Sequence, residues 1–508
     1  MSVSQPMDGT VIDGEVITPG SPRWYLTRLT QRLLSRQTRY DRLERYMLGN
    51  HDYPNGDKRY VVALRELQRK CRTNYCVLIA QAVTNRMKVN GFQFGPESQE
   101  DEDAKKIWTA NNMDLQSSII INTASVFGDA YVLVAPPLEE DEDGDGLPII
   151  TAEDPRLCIT ESDPRHPTRL LAGLKMWQDD ASQTIWAVLY LPESILLYQG
   201  PTITDYVGTD IASLTQILVG RSAAAGGFKL VDEQPNPVGE VTLIRVNWQP
   251  AFGSLGRGEF EGVIDIQDRI NTVMLERMVL SKSQAFNQRW MTGAKKGEEF
   301  KAGADMVWAT VNQEAKFGQF DAVDFTQINA AINDDVGHLA AVTGTPATYL
   351  MNRMVNVSGD TLTQDQSALV TKIRLRQEAV GWAYERVMRL AFKIDGDTAK
   401  AKETEVVTLW RDAEVKDLAG LGDLFSKLTA GGVALDIAMK VTGLFTNDQI
   451  ASAKEQFEEQ QKMAQEMALE QGQQAEDGDM GVAKQQGQNA VAAVKAKPKP
   501  TSKPKPKS

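Results

Sequence analysis

Apolar residues recur at helical spacing in three long stretches of the second half of the chain. In residues 259–286, Val263, Ile266, Ile270, Val273 and Leu280 follow one another at steps of three, four, three and seven. Phe260, Ile264, Met274 and Met278 form a second line. A helix that is apolar on more than one side packs against several neighbours. Asp265, Asp268 and Glu276 fall on the remaining polar line, and Arg269 stands four residues after Asp265, a favourable helical pair. Residues 324–342 form a second amphipathic helix with Phe325, Ile328, Ile332 and Leu339 on its apolar face. Asp324 opens it, Gln327 stands at capping-box spacing, and Thr343-Gly344-Thr345-Pro346 stops it. The polar segment 287–323, with its glycines and a strand-like run at 306–311, separates the two helices. A loop at 343–360 leads to a third helix over 361–392.

The first half reads differently. Ser21-Pro22 is an N-cap followed by proline at the first helical position, and the helix stops at Gly49-Asn50. Leu26, Leu29, Leu33 and Tyr40 make its apolar stripe, and Arg28, Arg32, Arg36 and Arg39 recur on another face. Further helix is predicted over 60–89, ending at Asn90-Gly91, then over 104–113 and 115–127. Runs rich in β-branched and aromatic residues predict strands at 130–135, 170–177, 184–191, 195–199, 228–231 and 241–246. Residues 21–258 therefore make an α+β domain. A strand at 404–410 falls in the segment 361–415, and helices occupy 416–459. Residues 1–20 lack apolar periodicity. Residues 460–508 end in six lysines among prolines. Both ends are expected to be disordered, since such composition cannot bury a core.

Composition narrows the function classes. The chain of 508 residues has 42% hydrophobic and 24% charged residues, ordinary for a globular protein. No apolar run reaches membrane-spanning length, and the N-terminus lacks the layout of a signal peptide. A net charge of −13 argues against a sequence-reading DNA-binding protein but not against a conduit, which benefits from weak contacts with phosphate. Cys71, Cys76 and Cys158 are too few for a disulfide framework and read as buried free thiols. Residues 139–146, EEDEDGDG, match the first positions of a calcium loop. Ala152 stands where the bidentate glutamate belongs, so a solvated acidic turn is the better reading. A phosphate-binding G-x-x-x-x-G-K-[ST] loop, H-E-x-x-H and G-x-S-x-G are all missing. No enzyme, metal site or cofactor is expected.

Several stretches together resemble the portal proteins of tailed bacteriophages, the actinobacteriophage type in particular. Residues 246–293, VNWQPAFGSLGRGEFEGVIDIQDRINTVMLERMVLSKSQAFNQRWMTG, are similar to the family's strand, loop and first stem helix. Residues 339–391 are similar to its second stem helix, tunnel loop and long kinked helix. VNGFQF (89–94), IWTANNMDLQS (107–117) and GDAYVLV (128–134) are similar to its wing. The resemblance covers about residues 24–450. It implies an α+β portal fold: wing 21–258, stem helix 259–286, small clip 287–323, stem helix 324–342, tunnel loop 343–360, long helix and returning strand 361–415, and crown 416–459.

It further implies a ring, a dodecamer, at one capsid vertex of the virion, assembled in the host cytoplasm. Double-stranded DNA would pass through it without sequence specificity. The implied partners are the terminase large subunit, the major capsid and scaffolding proteins and a head-tail adaptor, with no membrane. Asp265, Asp268 and Glu276 become candidates for the channel stem. Tyr349, Asn352, Arg353 and Asn356 become candidates for DNA contact in the tunnel loop. Lys295, Lys296, Lys301 and Trp308 become candidates for motor docking on the clip. Val263, Ile266, Ile270, Val273, Phe325, Ile328 and Ile332 are expected to pack the stem. The arginine row reads either as a face paired with acidic neighbours or as a contact with packaged DNA or scaffold. A minor head protein without a channel is the alternative, and a metal-dependent nuclease a more distant one.

Overall fold

The computed structural model describes residues 10–12, 15–53, 61–95, 100–137, 146–179, 181–202, 227–251, 255–284, 289–293, 312–319, 324–351, 359–414, 418–442, 445, 449–450, 452–457, 459 and 462–463. The chain divides into two compact units, residues 1–414 and 415–508. The calcium-like turn through Asp145, the helix-breaking Gly443 and the lysine-proline tail lie outside the described residues.

Helix α1 (Pro22–Met47) opens on Ser21, whose hydroxyl accepts from the Trp24 N–H at 3.3 Å. Its two halves serve different cores. Leu26, Leu29 and Leu33 pack with Ile159, Leu174, Ile185 and Leu189. Tyr40, Leu43 and Tyr46 pack with Cys76, Ile79, Phe260, Val263, Ile270 and Leu339. Ahead of α1, strand β1 (Thr10–Ile12) pairs with β2 (Glu15–Ile17), and Ile17 is buried. Part of the segment expected to be disordered is thus a hairpin, and the burial of Ile17 is a tertiary effect that its flanking sequence does not advertise.

Helices α2 (Val61–Lys70) and α3 (Tyr75–Thr84) replace the single helix predicted over 60–89. The chain breaks at Asn74, whose side chain caps the Val77 N–H. Asn90-Gly91 is not a helix stop. It lies inside β3 (Val89–Phe94), which pairs antiparallel with a strand more than three hundred residues later. Helices α4 (Glu102–Ala110) and α5 (Met113–Phe127) follow as predicted.

Strands β4 (Asp129–Ala135), β5 (Ile149–Glu153), β6 (Cys158–Ser162), β7 (Leu170–Asp179), β8 (Thr184–Tyr190), β9 (Ser194–Thr202), β10 (Lys229–Pro235) and β11 (Leu243–Asn247) form two antiparallel sheets. Their orders are β10-β9-β8-β7-β6 and β11-β4-β5. β5 and β6 escape the sequence reading because they are short and carry polar residues (Thr151, Glu153, Thr160, Glu161, Ser162) that alternation cannot separate from loop. The three cysteines are free and buried, and burial pushes all three thiols up, Cys76 to about 12.

After β11 a one-turn 3-10 helix (Glu261–Val263) runs into α6 (Ile264–Gln284). β12 (Arg289–Thr292) pairs with β13 (Lys316–Gln319), and α7 (Phe325–Thr343) returns alongside α6. Gly344 ends α7 in the left-handed conformation at φ 60°, as its place in the sequence predicts. The short helix α8 (Ala347–Leu350) precedes α9 (Gly359–Asp395), continuous over 37 residues, and then α10 (Thr398–Lys402) and β14 (Val406–Trp410), the partner of β3. Gly381 lets β14 lie on α9, since a Cβ there would meet Trp410 Nε1 at 3.3 Å. The second unit contains α11 (Leu418–Ala430) and α12 (Leu435–Thr442), separated by a turn in which Gly432 takes φ 84°.

Candidate functional site

The loop from β11 into α6 is held by backbone against backbone. A Cβ on Gly256 would lie 1.9 Å from the Gly128 carbonyl, and one on Gly258 would lie 2.2 Å from the Val126 carbonyl. Only hydrogen can occupy such gaps, so GRGEF (256–260) reads as a docking sequence. The Trp248 N–H donates to Gly128 O at 2.9 Å, and the Glu259 N–H to Ser125 O at 2.7 Å. Arg39 reinforces the joint, donating to Glu261 and to the Gly256 carbonyl at 2.6–2.7 Å.

Glu259 then enters the interior at the point where the sheet domain meets the stem. Its carboxylate accepts from Lys372 Nζ at 2.5 Å, Arg376 Nε at 3.2 Å and the indole N–H of Trp248 at 2.6 Å. Lys372 also donates to the Thr343 carbonyl at 2.7 Å, the last turn of α7. One carboxylate and one ammonium thereby tie together the start of the stem, its end, β11 and α9. Burial drives the Glu259 pKa up, but Lys372, Arg376 and Trp248 outweigh it and hold the group ionised below the usual glutamate range.

A second fastening lies in the opening turns of α6. Gln267 and Asn271, both fully buried, face the start of α3. The Gln267 amide accepts from the Tyr75 N–H at 3.0 Å and donates to the Thr73 carbonyl at 2.7 Å. Asn271 accepts from the Thr73 N–H at 3.1 Å and meets His51 Nδ1 at 3.0 Å, while His51 Nε2 lies 3.2 Å from the Tyr46 carbonyl. A neutral imidazole satisfies both contacts: Nε2–H donates to the carbonyl and Nδ1 accepts from the amide. Burial holds the His51 pKa below its ordinary value.

The stem-packing residues divide by depth. Val263, Ile270 and Ile332 are buried in one cluster with Val336 and Leu339, whereas Ile266, Val273 and Ile328 are half-buried against it. Phe325 is half-buried at the opening turn of α7. Asp265 and Glu276 are exposed. Asp268 differs: it accepts from the Tyr46 hydroxyl at 2.7 Å, and burial raises its pKa. Arg269 does not pair along its helix with Asp265. It reaches across to Asp335 of α7 at 2.7 Å, because α7 lies beside that face of α6, and Arg42 of α1 lies 3.6 Å from Asp265.

The arginine row of α1 turns inward. Arg28 and Arg32 both pair with Glu161, Arg39 pairs with Glu261, and Arg36 is buried, 3.4 Å from the Tyr131 hydroxyl. These arginines join α1 to the sheets and the stem, so the face is paired with acidic neighbours as one of the two readings expects, and the pairing buries it in part. In the loop, Leu350 is buried and the Tyr349 hydroxyl accepts from Arg86 at 2.5 Å. Asn352, Arg353, Asn356, Lys295, Lys296, Lys301 and Trp308 lie outside the described residues. The joint itself escapes sequence reading. Glu259 looks like any surface glutamate, and the only local sign of the second fastening is an amide pair, Gln267 and Asn271, four apart between apolar stripes.

The family model described as phage portal protein, SPP1 Gp6-like, matches residues 26–467. The portal protein of Mycobacterium phage D29 is 23% identical over 374 residues, covering 70% of this chain and 72% of its own. That of Mycobacterium phage L5 is 24% identical over 408 residues, covering 76% and 79%. Among solved structures, the neck of an empty GTA particle, computed with C6 symmetry, is similar with a TM-score of 0.42. It is 10% identical, covering 78% of this chain and 97% of that one. The neck of a native GTA particle, computed with C12 symmetry, gives 0.41 and 11%, covering 79% and 98%.

Proposed function

The chain belongs to the phage portal protein family, SPP1 Gp6-like, and on that premise we propose that it works as a dodecameric ring at one vertex of the capsid. It is a virion component and forms the DNA channel of the head-tail connector. The match over residues 26–467 carries this reading, since it takes in the sheet domain, both stem helices, the long helix and the helices beyond them.

The terminase large subunit supplies the energy of packaging, and the chain itself catalyses nothing. Major capsid and scaffolding proteins receive the ring during assembly in the host cytoplasm, and a head-tail adaptor docks on it afterwards. Asp265 and Glu276, exposed on α6, face the passage and keep phosphate contacts weak, so that DNA slides without sticking. Asn352, Arg353 and Asn356 form the constriction, and Lys295, Lys296, Lys301 and Trp308 meet the motor. Tyr349 and Asp268, held by Arg86 and Tyr46, present the loop and the stem to the passage in a fixed pose. The buried joint at Glu259 supports this mechanical reading, because it lets wing, stem and long helix bear load as one body.

Negative-stain microscopy of the purified protein tests the assembly: rings with a central hole are expected, and compact monomers would refute it. Arg353→Glu is expected to leave rings intact while lowering the DNA packaged in vitro. Normal packaging by that variant would remove Arg353 from the constriction.

A further inference from the structure

Between the C-terminal half of α9 and the sheet domain lies a cleft of about 600 Å³. Arg169, Arg386, Arg389 and Lys393 line it, against a single carboxylate among the described residues, Glu240, which Lys393 holds at 2.6 Å. Trp382 lies on its wall with 45% of its surface open. Arg386 donates to the Thr168 carbonyl at 2.8 Å. Burial and the neighbouring Arg389 lower its pKa, against the pull of Glu240, so the guanidinium is only partly compensated. In a chain of net charge −13, such a concentration of cations marks a receptor for negative charge.

We propose that this cleft receives a carboxylate-rich peptide strand, and that its occupant is residues 139–145 of the neighbouring copy in the ring. The proposal rests on the ring reading above. Charge is its first support: residues 139–145 carry six acids and no base. Size is its second, since a cleft of this volume is of the order that small ligands and short peptide segments fill, about 300–1,000 Å³, and a DNA duplex cannot enter it. Position is its third. β4 and β5 run out together at Ala135 and Ile149 toward residues 139–145. At that same end, the Val134 N–H donates to the Thr242 carbonyl at 3.1 Å and Leu133 pairs with Leu243. Gly239, Glu240 and Val241, immediately before these partners, form one wall of the cleft. The strand ends that flank the acidic segment and the basic cleft therefore share one end of one sheet, and in a ring every copy presents both at one height. The exposed Pro136 and Pro137 offer apolar groups suited to the face of Trp382.

The test uses the full chain with its own segment neutralised by Asp141→Asn, Glu142→Gln and Asp143→Asn. A fluorescein-labelled peptide of residues 136–148 is titrated onto it by anisotropy. Binding is expected, weakening about tenfold as salt rises from about 50 to 300 mM, and lost when Arg389→Glu is added or when the peptide carries Asn and Gln for its acids. Arg389 is used because Arg386 also supports the Thr168 carbonyl; a circular-dichroism melt like that of the parent establishes that the variant folds. Binding indifferent to Arg389→Glu overturns the proposal, as does displacement of the peptide by a lower concentration of single-stranded oligonucleotide. Wild-type rings together with no peptide binding defeat the cleft proposal alone. Peptide binding as expected, with no wild-type rings by microscopy, defeats the ring reading and the neighbouring donor while leaving the acidic-peptide site.

Discussion

Replacing Glu259 by glutamine should loosen the joint far more than a single hydrogen bond suggests. Among the described residues, the carboxylate is the one anion paired with Lys372 and Arg376, whose side chains are 12% and 16% exposed. Glutamine keeps the shape and can still accept from Trp248, but it leaves two cations out of water without a counter-charge. Breaking a buried pair from one side costs about 3–5 kcal/mol, and the retained Trp248 contact sets the expectation at the lower end. The effect is local first, because Lys372 also holds the Thr343 carbonyl where α7 ends.

Hydrogen exchange followed by mass spectrometry is the assay, because it reads opening at the joint itself and not the melting of the whole chain. Amides closing α7, such as Thr345, which donates to Ala340 O at 3.1 Å, should exchange about a hundredfold faster in Glu259→Gln at pH 7, if about 3 kcal/mol of local opening energy is lost. Adding Lys372→Met should recover part of the loss, because it removes one stranded charge. The sign with pH is fixed by the direction of the shift. The folded pKa lies below the ordinary glutamate value, so the wild-type advantage is present above about pH 4.5 and fades as pH falls through the folded value. The two proteins should therefore converge in acid. Exchange within about threefold of wild type at pH 7, below about 1 kcal/mol, would refute the assignment, as would a gap that persists undiminished to the most acid pH at which both remain folded.

Four further outcomes are expected. Gly256→Ala should destabilise by about 3 kcal/mol or more or prevent folding, because its Cβ meets a backbone carbonyl. Gly337→Ala in α7, with nothing within 4 Å, should raise the melting temperature through a gain of about 0.5–1 kcal/mol; paired melts by circular dichroism decide both. His51 has its pKa held below the ordinary 6.5, so the unfolded chain takes up its proton first. Its contribution is complete above about pH 6.5 and is lost as pH falls toward the folded value, and His51→Gln should flatten that part of a melting-temperature profile. Ile270→Asp places a carboxylate at a fully buried position without a partner, a penalty of several kcal/mol, about 2–7; rings should disappear from size exclusion and microscopy.

Local rules were enough for much of this architecture. Ser21-Pro22, Asp324, Gly344 and the apolar lines of α1, α6 and α7 are statements about nearest neighbours on a helix, and the structure keeps them because capping and amphipathic burial act within a few residues. Family membership was likewise legible, since whole stretches of pattern recur in order. Pairings between distant segments could not be read that way. Asn90-Gly91 looks like a helix stop until β14 arrives to pair with it, and Arg269 has a partner on its own helix until α7 offers Asp335. The joint is the extreme case. Whether Glu259, Lys372 and Arg376 form a buried node or three solvated charges depends on which surfaces lose their water, and that is decided only when α9 crosses the start of the stem.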